Sequence, residues 1–298
     1  MTLYTQAESN IRKTWLYLTL FIALILLLGW FFSNYFGNFA IFWFALFFST
    51  LSSFFSYWYS DKVILALTRA RPIEKSDNPE LYRIVENLCI TAGLPFPKIY
   101  ILDEAQPNAF ATGRDKNHAV IAVTQGLLEK MEKTELEGVI AHELSHIGNK
   151  DLLLETIVVV LVGLIVLLTD FFYRMSFWGR QRRREKDEGG NAIFFLIGMI
   201  LAILAPILAQ LIKFAISRKR EFLADETGAL LTRYPEGLAS ALEKIAKDQN
   251  PLTVATNATS HLFIANPFRG FQINSISKLF MTHPPIGERI AALRGMKI

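Results

Sequence analysis

"TELEGVIAHELSHIGN", residues 134–149, is the stretch on which the reading of this 298-residue chain turns. Thr134 followed three residues later by Glu137 predicts a capping box and a helix start. On that helix His142 and His146 stand four apart on one face, so two imidazoles can reach one ion, while Glu143 beside them can reach a water on it. A catalytic zinc site takes three protein ligands and leaves one position open. An ion there lowers the pKa of the water, and Glu143 takes the proton as the oxygen attacks a peptide carbonyl. With five histidines in the chain, chance produces the pattern roughly 0.005 times. Two ligands do not make the site, and the third has to come from elsewhere.

The best local pattern for it is "SRKREFLADETG", residues 217–228, where Glu221 and Asp225 repeat the four-residue spacing. Glu221 can ligate the metal, and Asp225, one turn on, can accept the other ring N–H of a ligand histidine. His118 and His261 belong to no motif and read as structural or surface residues.

Composition places this chemistry at a membrane. Hydrophobic residues make up 52% of the chain, and no charge occurs from Thr14 to Ser60, enough for two spans, at 15–33 and 38–59. Ser33, Asn34, Gly37 and Asn38 mark the turn between them, and Trp30, Tyr35, Trp43, Tyr57, Trp58 and Tyr59 supply interfacial aromatics. The first run is too long for a cleaved signal peptide and is followed at once by another span. Further apolar runs cover 152–172, which contains Glu155, and 191–212, where Pro206 predicts a kink.

Arg12 and Lys13 before the first span, and Lys62, Arg69, Arg71 and Lys75 after the second, put both ends of that hairpin in the cytoplasm. The 173–190 loop, with six Arg and Lys, conflicts with the same rule if the later segments cross. Either it is translocated at a cost or that hairpin dips in without crossing. Both options leave residues 61–151 and 213–298 on one side. The basic pI of about 9.1 reads as cytoplasmic anchoring charge, and no nucleic-acid-binding signature is present. Cys89, the single cysteine, reads as a buried apolar residue rather than a nucleophile.

Between span and motif, "NPELYRIVENLCITAG" has helical spacing ending at Gly93, and "KIYILD", "NAFATG" and "HAVIAV" are short strand-like runs. They predict a small α+β unit in which "PNAFATG", residues 107–113, could be an edge strand pairing with an extended peptide.

"HELSH", "SRKREFLAD", "PNAFATG" and the late "THPPIGERI", residues 282–290, together resemble the membrane zinc endopeptidases of the HtpX type. These are relatives of the CAAX prenyl endopeptidases and of the mitochondrial stress protease Oma. The resemblance covers nearly the whole chain, and the motif helix between the second and third apolar segments matches the HtpX branch. It implies a mostly helical α+β protein with about four transmembrane helices and a gluzincin domain. That domain has two active-site helices and a small sheet whose edge strand binds substrate. It further implies one Zn²⁺ per chain on His142, His146 and Glu221, with Glu143 as general base and acid and Asp225 behind a ligand histidine. His283 would hold substrate and the oxyanion, Arg289 would support the site, and Asn108 would contact substrate backbone. Read from the residues alone, His283 is a turn residue before two prolines and Arg289 a surface charge.

The expected organisation is a transmembrane hairpin at 1–60, protease parts at 61–151 and 213–298, and a second membrane hairpin at 152–212. The expected setting is the bacterial inner membrane, multi-pass, with the site facing the cytoplasm. The partners are the bilayer and misfolded or damaged membrane proteins met under stress, with no nucleic acid. A processing peptidase for a lipidated or signal-type peptide is one alternative. A catalytically silent scaffold is another, against which the intact Glu143 counts.

Overall fold

The computed structural model describes residues 3–158, 160–161, 218–256, 259–267 and 284–296. The fourth apolar run, most of the third, the basic 173–190 loop and His283 lie outside the described residues.

The uncharged stretch forms two helices, α1 (Leu3–Phe36) and α2 (Ala40–Leu67), packed as a hairpin. Within them Ile11–Trp30 and Ala40–Leu67 are long and apolar enough to cross a membrane. The turn is tighter than the sequence predicts. Ser33 and Asn34 belong to the last turns of α1, where the Asn34 side chain donates to the Trp30 carbonyl, and Asn38 accepts from the backbone of Ala40 at the start of α2. Short polar side chains here satisfy helix ends rather than break helices early.

The hairpin is packed inside out. Along α2 the residues facing inward are Ala45, Ser49, Ser53, Ser56, Ser60 and Ile64, whereas Trp43, Phe44, Phe47, Phe54 and Trp58 are exposed. Small residues let the helix backbones approach when lipid rather than water is the outer solvent. Gly29 shows how close the approach is, since a Cβ there would lie 2.4 Å from the Cβ of Ala45.

The soluble part opens with β1 (Arg71–Pro72) and α3 (Pro79–Ala92). The Asn78 side chain caps α3 by accepting from Leu81 N at 3.0 Å, Pro79 fills the first turn, and the chain leaves through Gly93 as expected. The buried face carries Leu81, Ile84, Val85, Leu88 and Cys89. Burial pushes the Cys89 thiol up to about 11, so it is an apolar filler.

The three expected strands are β2 (Lys98–Leu102), β3 (Ala109–Thr112) and β4 (Val120–Thr124), in the order β1-β2-β4-β3. β2 pairs parallel with β4, and β3 returns antiparallel with Ala109 opposite Val123. Two-residue β1 was absent from the sequence reading; its proline suits an edge, where a ladder donor is not needed. The opposite edge is β3. One side of the sheet lies against the core formed by α3 and α5 (Lys133–Gly148), into which α4 (Gln125–Lys130) leads.

The capping box of α5 is two residues earlier than predicted. Glu132 is the N-cap and Glu135 its partner, whose carboxylate accepts from Glu132 N at 2.8 Å. Glu135 also takes Lys244 and Ser240 from a later helix, both at 2.7 Å, and these tertiary partners favour that register over Thr134 and Glu137. Among the described residues three further helices build the core: α6 (Arg218–Thr232), α7 (Pro235–Lys247) and α8 (Ile286–Arg294). Both α6 and α7 pack on α5, and α8 closes over α6 and α7.

Candidate metal centre

Helices α5 and α6 meet at His142. Gly228 of α6 sits where a Cβ would come 2.9 Å from the His142 nitrogen, so only a residue without one allows this approach. One and two turns before Gly228, Asp225 and Glu221 face α5 as well, and His142, His146, Glu221 and Asp225 are all buried.

The ring nitrogens His142 Nε2 and His146 Nε2 lie 3.2 Å apart, and His146 Nε2 is 3.8 Å from Glu221 Oε1. One donor atom from each of His142, His146 and Glu221 falls within 4.8 Å of the others. The outer ring nitrogens face carboxylates, with His142 Nδ1 2.9 Å from Asp225 Oδ1 and His146 Nδ1 3.1 Å from Asp151 Oδ2. Asp151 holds the His146 proton on Nδ1 by a hydrogen bond, and the Asp225 charge beside His142 Nδ1 favours the same tautomer without an aligned hydrogen bond, so the two Nε2 lone pairs face each other. That arrangement is repulsive unless a proton or a cation lies between them. Tetrahedral zinc, with Zn–N about 2.0–2.1 Å, sets two nitrogens about 3.3 Å apart. The donor set and its spacing fit such an ion.

Charge tells the same story. Burial, and then the nearby carboxylates of Glu221 and Glu155, push Glu143 up to about 8. Burial works against a charged His146, but the hydrogen bond to Asp151 and the charges of Glu155, Glu221 and Asp151 outweigh it and raise His146 to about 10. His142 is lowered, mainly by burial and partly offset by Asp225. Without a metal the pocket collects protons on Glu143 and His146, as a site with surplus negative charge does, and a divalent cation supplies the same compensation.

Arg289 corrects its local reading as a surface charge: it is fully buried. Its Nε and Nη2 bind the two oxygens of Asp225 at 2.8 and 2.7 Å. Its Nη1 donates to the Ile264 carbonyl at 2.8 Å and lies 3.6 Å from Glu221 Oε2. Although burial raises the Asp225 carboxyl, the Arg289 charge and hydrogen bonds outweigh it and hold Asp225 below the usual range. One guanidinium thus fixes both the carboxylate behind His142 and, more loosely, Glu221.

Asp151 was missed by the sequence reading. It follows α5 directly, fully buried, with its own N–H on the His146 carbonyl at 3.1 Å and its carboxylate on the His146 ring. The available signal was a lone acid, five residues after the second histidine, between a helix stop and an apolar run. Arg220 is buried as well, its Nε 4.0 Å from Asp151 Oδ1.

Asn108, at the head of β3, is fully buried. Its amide donates to Gln106 Oε1 and the Ala265 carbonyl, both at 3.1 Å, and its oxygen accepts from Ala109 N at 3.1 Å. The side chain holds β3 against residues 263–265, with Ile264 N donating to the Ala109 carbonyl. His118 is exposed and bound to Asp115 at 2.8 Å, and His261 is buried outside the cluster.

Comparison with known proteins agrees with this chemistry. The sequence pattern of peptidase family M48 matches residues 75–297. A Protease HtpX homolog from Caldanaerobacter subterraneus subsp. tengcongensis is 48% identical over 301 residues, spanning 100% of this chain and 99% of its own. Another, from Thermococcus sibiricus, is 49% identical over 260 residues, 87% of each chain. Among solved structures, the crystal structure of S. mikatae Ste24p matches with a TM-score of 0.50 at 20% identity, over 94% of this chain and 66% of that one. At that identity the likeness speaks for the fold alone.

Proposed function

The chain belongs to peptidase family M48 and is a metalloendopeptidase, and from that premise we propose a zinc enzyme that cuts misfolded or damaged membrane proteins at the cytoplasmic face of the bacterial inner membrane. The observation that carries the reading is the buried convergence of His142, His146 and Glu221 within 4.8 Å. These residues would hold one Zn²⁺, which when bound acidifies a water and polarises the scissile carbonyl.

The remaining work falls to the chain. Glu143, held uncharged by its surroundings in the metal-free site, becomes the proton acceptor once a cation offsets the neighbouring carboxylates, then returns the proton to the leaving amine. Asp225 and Asp151 keep the protons of His142 and His146 on the outer nitrogens, so that the inner ones stay available as ligands. Arg289 keeps Asp225 charged and in place. The substrate, extended, pairs with the edge of β3 beyond Ala109, whose own carbonyl takes Ile264 N, and Asn108 fixes the start of that strand. His283 supplies a donor for the developing oxyanion.

The α1–α2 hairpin, with residues 152–212 as a second membrane hairpin, anchors the protease parts 61–151 and 213–298 beside the bilayer. A site so placed meets loops of other membrane proteins without extracting them. The resemblance to the HtpX type supplies the stress-linked quality-control role, and that proximity gives it a physical rationale. The test is digestion of casein and of a model membrane protein by the purified full chain. Wild type is expected to cleave, chelation to stop it and zinc to restore it. Glu143→Gln is expected to retain zinc while turnover falls on the order of 10²–10⁴-fold. Cleavage by Glu143→Gln at the wild-type rate overturns the proposal.

A further inference from the structure

A cavity of about 460 Å³ lies where the membrane hairpin meets the soluble part, outside the metal centre. Ile11, Trp15 and Tyr57 give it an apolar wall, and Arg114, Lys116 and Lys150 contribute cations. The rings of Trp15 and Tyr57 stack at 6.2 Å, and the Arg114 guanidinium sits 4.5 Å over the ring of neighbouring Trp58. Trp15 stands just inside the end of the Ile11–Trp30 stretch, the depth at which tryptophan and tyrosine settle among lipid headgroups. A span over Ile11–Trp30 puts the cavity at headgroup level.

The charge in it is unbalanced. Asp115 is the one carboxylate in the lining, and it is already held by His118 Nδ1 at 2.8 Å, with Arg114 Nε at 3.4 Å. Lys116 and Lys150 are exposed and make no ion pair among the described residues. Lys150 stands at φ 57°, a conformation glycine or asparagine adopts at lower cost. Backbone geometry thus gives no reason for a lysine there.

We infer that this cavity seats the headgroup of an anionic phospholipid, its phosphate against Lys116 and Lys150 and its glyceryl and upper acyl portion against Trp15 and Tyr57. Ile147 and Gly148 also line it, so the lipid rests on the end of the helix that carries the two histidines.

The test needs no proteolysis and so stands apart from the proposed activity. The full chain is placed in nanodiscs of phosphatidylcholine alone or mixed with phosphatidylglycerol, and lipid retention is read by native mass spectrometry. Wild type is expected to retain one phosphatidylglycerol and to release phosphatidylcholine. The Lys116→Glu, Lys150→Glu double variant is expected to lose retention at least about tenfold. A charge-matched control, Lys98→Glu with Lys247→Glu on exposed positions elsewhere, is expected to keep it. Should the reversed pair fail to give wild-type circular dichroism, Lys116→Gln with Lys150→Gln replaces it under the same expectation. Equal loss in the control, equal retention in the cavity variant, or retention of phosphatidylcholine at the same level overturns the inference. Displacement by free glycerol phosphate also overturns it, because the ligand is then a soluble phosphate ester.

Discussion

The membrane hairpin and the α5–α6 pair are built on opposite rules. α2 turns serines inward and large aromatics outward, while α5 buries two histidines and a glutamate at its centre. The hairpin's inner surface works because it is small, letting backbones touch without asking any side chain for an ion partner. The inner surface of α5 works only because its two histidines have counterparts from elsewhere: Asp225, itself held by Arg289, behind His142, and Asp151 behind His146. Membrane contact rests on small size alone, whereas the site rests on specific charge partners.

The sharpest way to break that contrast is to strip a counter-charge. Arg289→Ala leaves Asp225 buried without its guanidinium and should cost about 3–5 kcal/mol of stability, read as a lowered urea midpoint in detergent. A shift within error would mean that water replaces the guanidinium and that the site is less closed than its burial indicates.

Next in size is Asp151→Asn. The amide keeps the shape but not the charge, and zinc affinity should fall about 10–100-fold in a chelator competition while the fold persists. Affinity equal to wild type would reduce Asp151 to a helix-end residue.

The hairpin gives the converse test. Ser49→Leu forces a large group into the α1–α2 contact and should cost about 1–3 kcal/mol, whereas Phe47→Leu on the lipid side should cost well under that. If the two variants melt alike, the inward serine face carries no packing.

The last test is a pH dependence. In the metal-free protein Glu143 titrates near 8 and His146 near 10, both above their unfolded values. The folded state therefore binds more protons, and its stability is greatest below those unfolded values and falls as pH rises toward about 10. Zinc takes the place of those protons, so the melting-temperature gap between zinc-loaded and chelated protein should widen from about pH 6 to about pH 9. A constant gap would mean that these groups are not coupled to the metal.

Much of this was legible in sequence because it is local. Four-residue spacing pairs His142 with His146 and Glu221 with Asp225, and a long uncharged run gives the hairpin whatever else the chain does. The strand runs stood out because Gly, Pro and Asp punctuate them. What escaped depends on partners distant in sequence. Arg289 reads as a surface charge until Asp225, 64 residues earlier, is seen beneath it. The α5 capping box shifted because Lys244 and Ser240 hold Glu135. Asn108 gave no local sign of its ties to Ala265. Asp151 was near in sequence yet hidden, because it acts across a helix end where periodicity stops.

The guanidinium of Arg289 also sets a clock. Ribosomes deliver a chain from its amino end, so the motif helix and Glu221 emerge well before residue 289, and until then Asp225 has no buried cation to hold it. The metal centre therefore reaches its full set of charge partners only late in synthesis, once residue 289 has emerged.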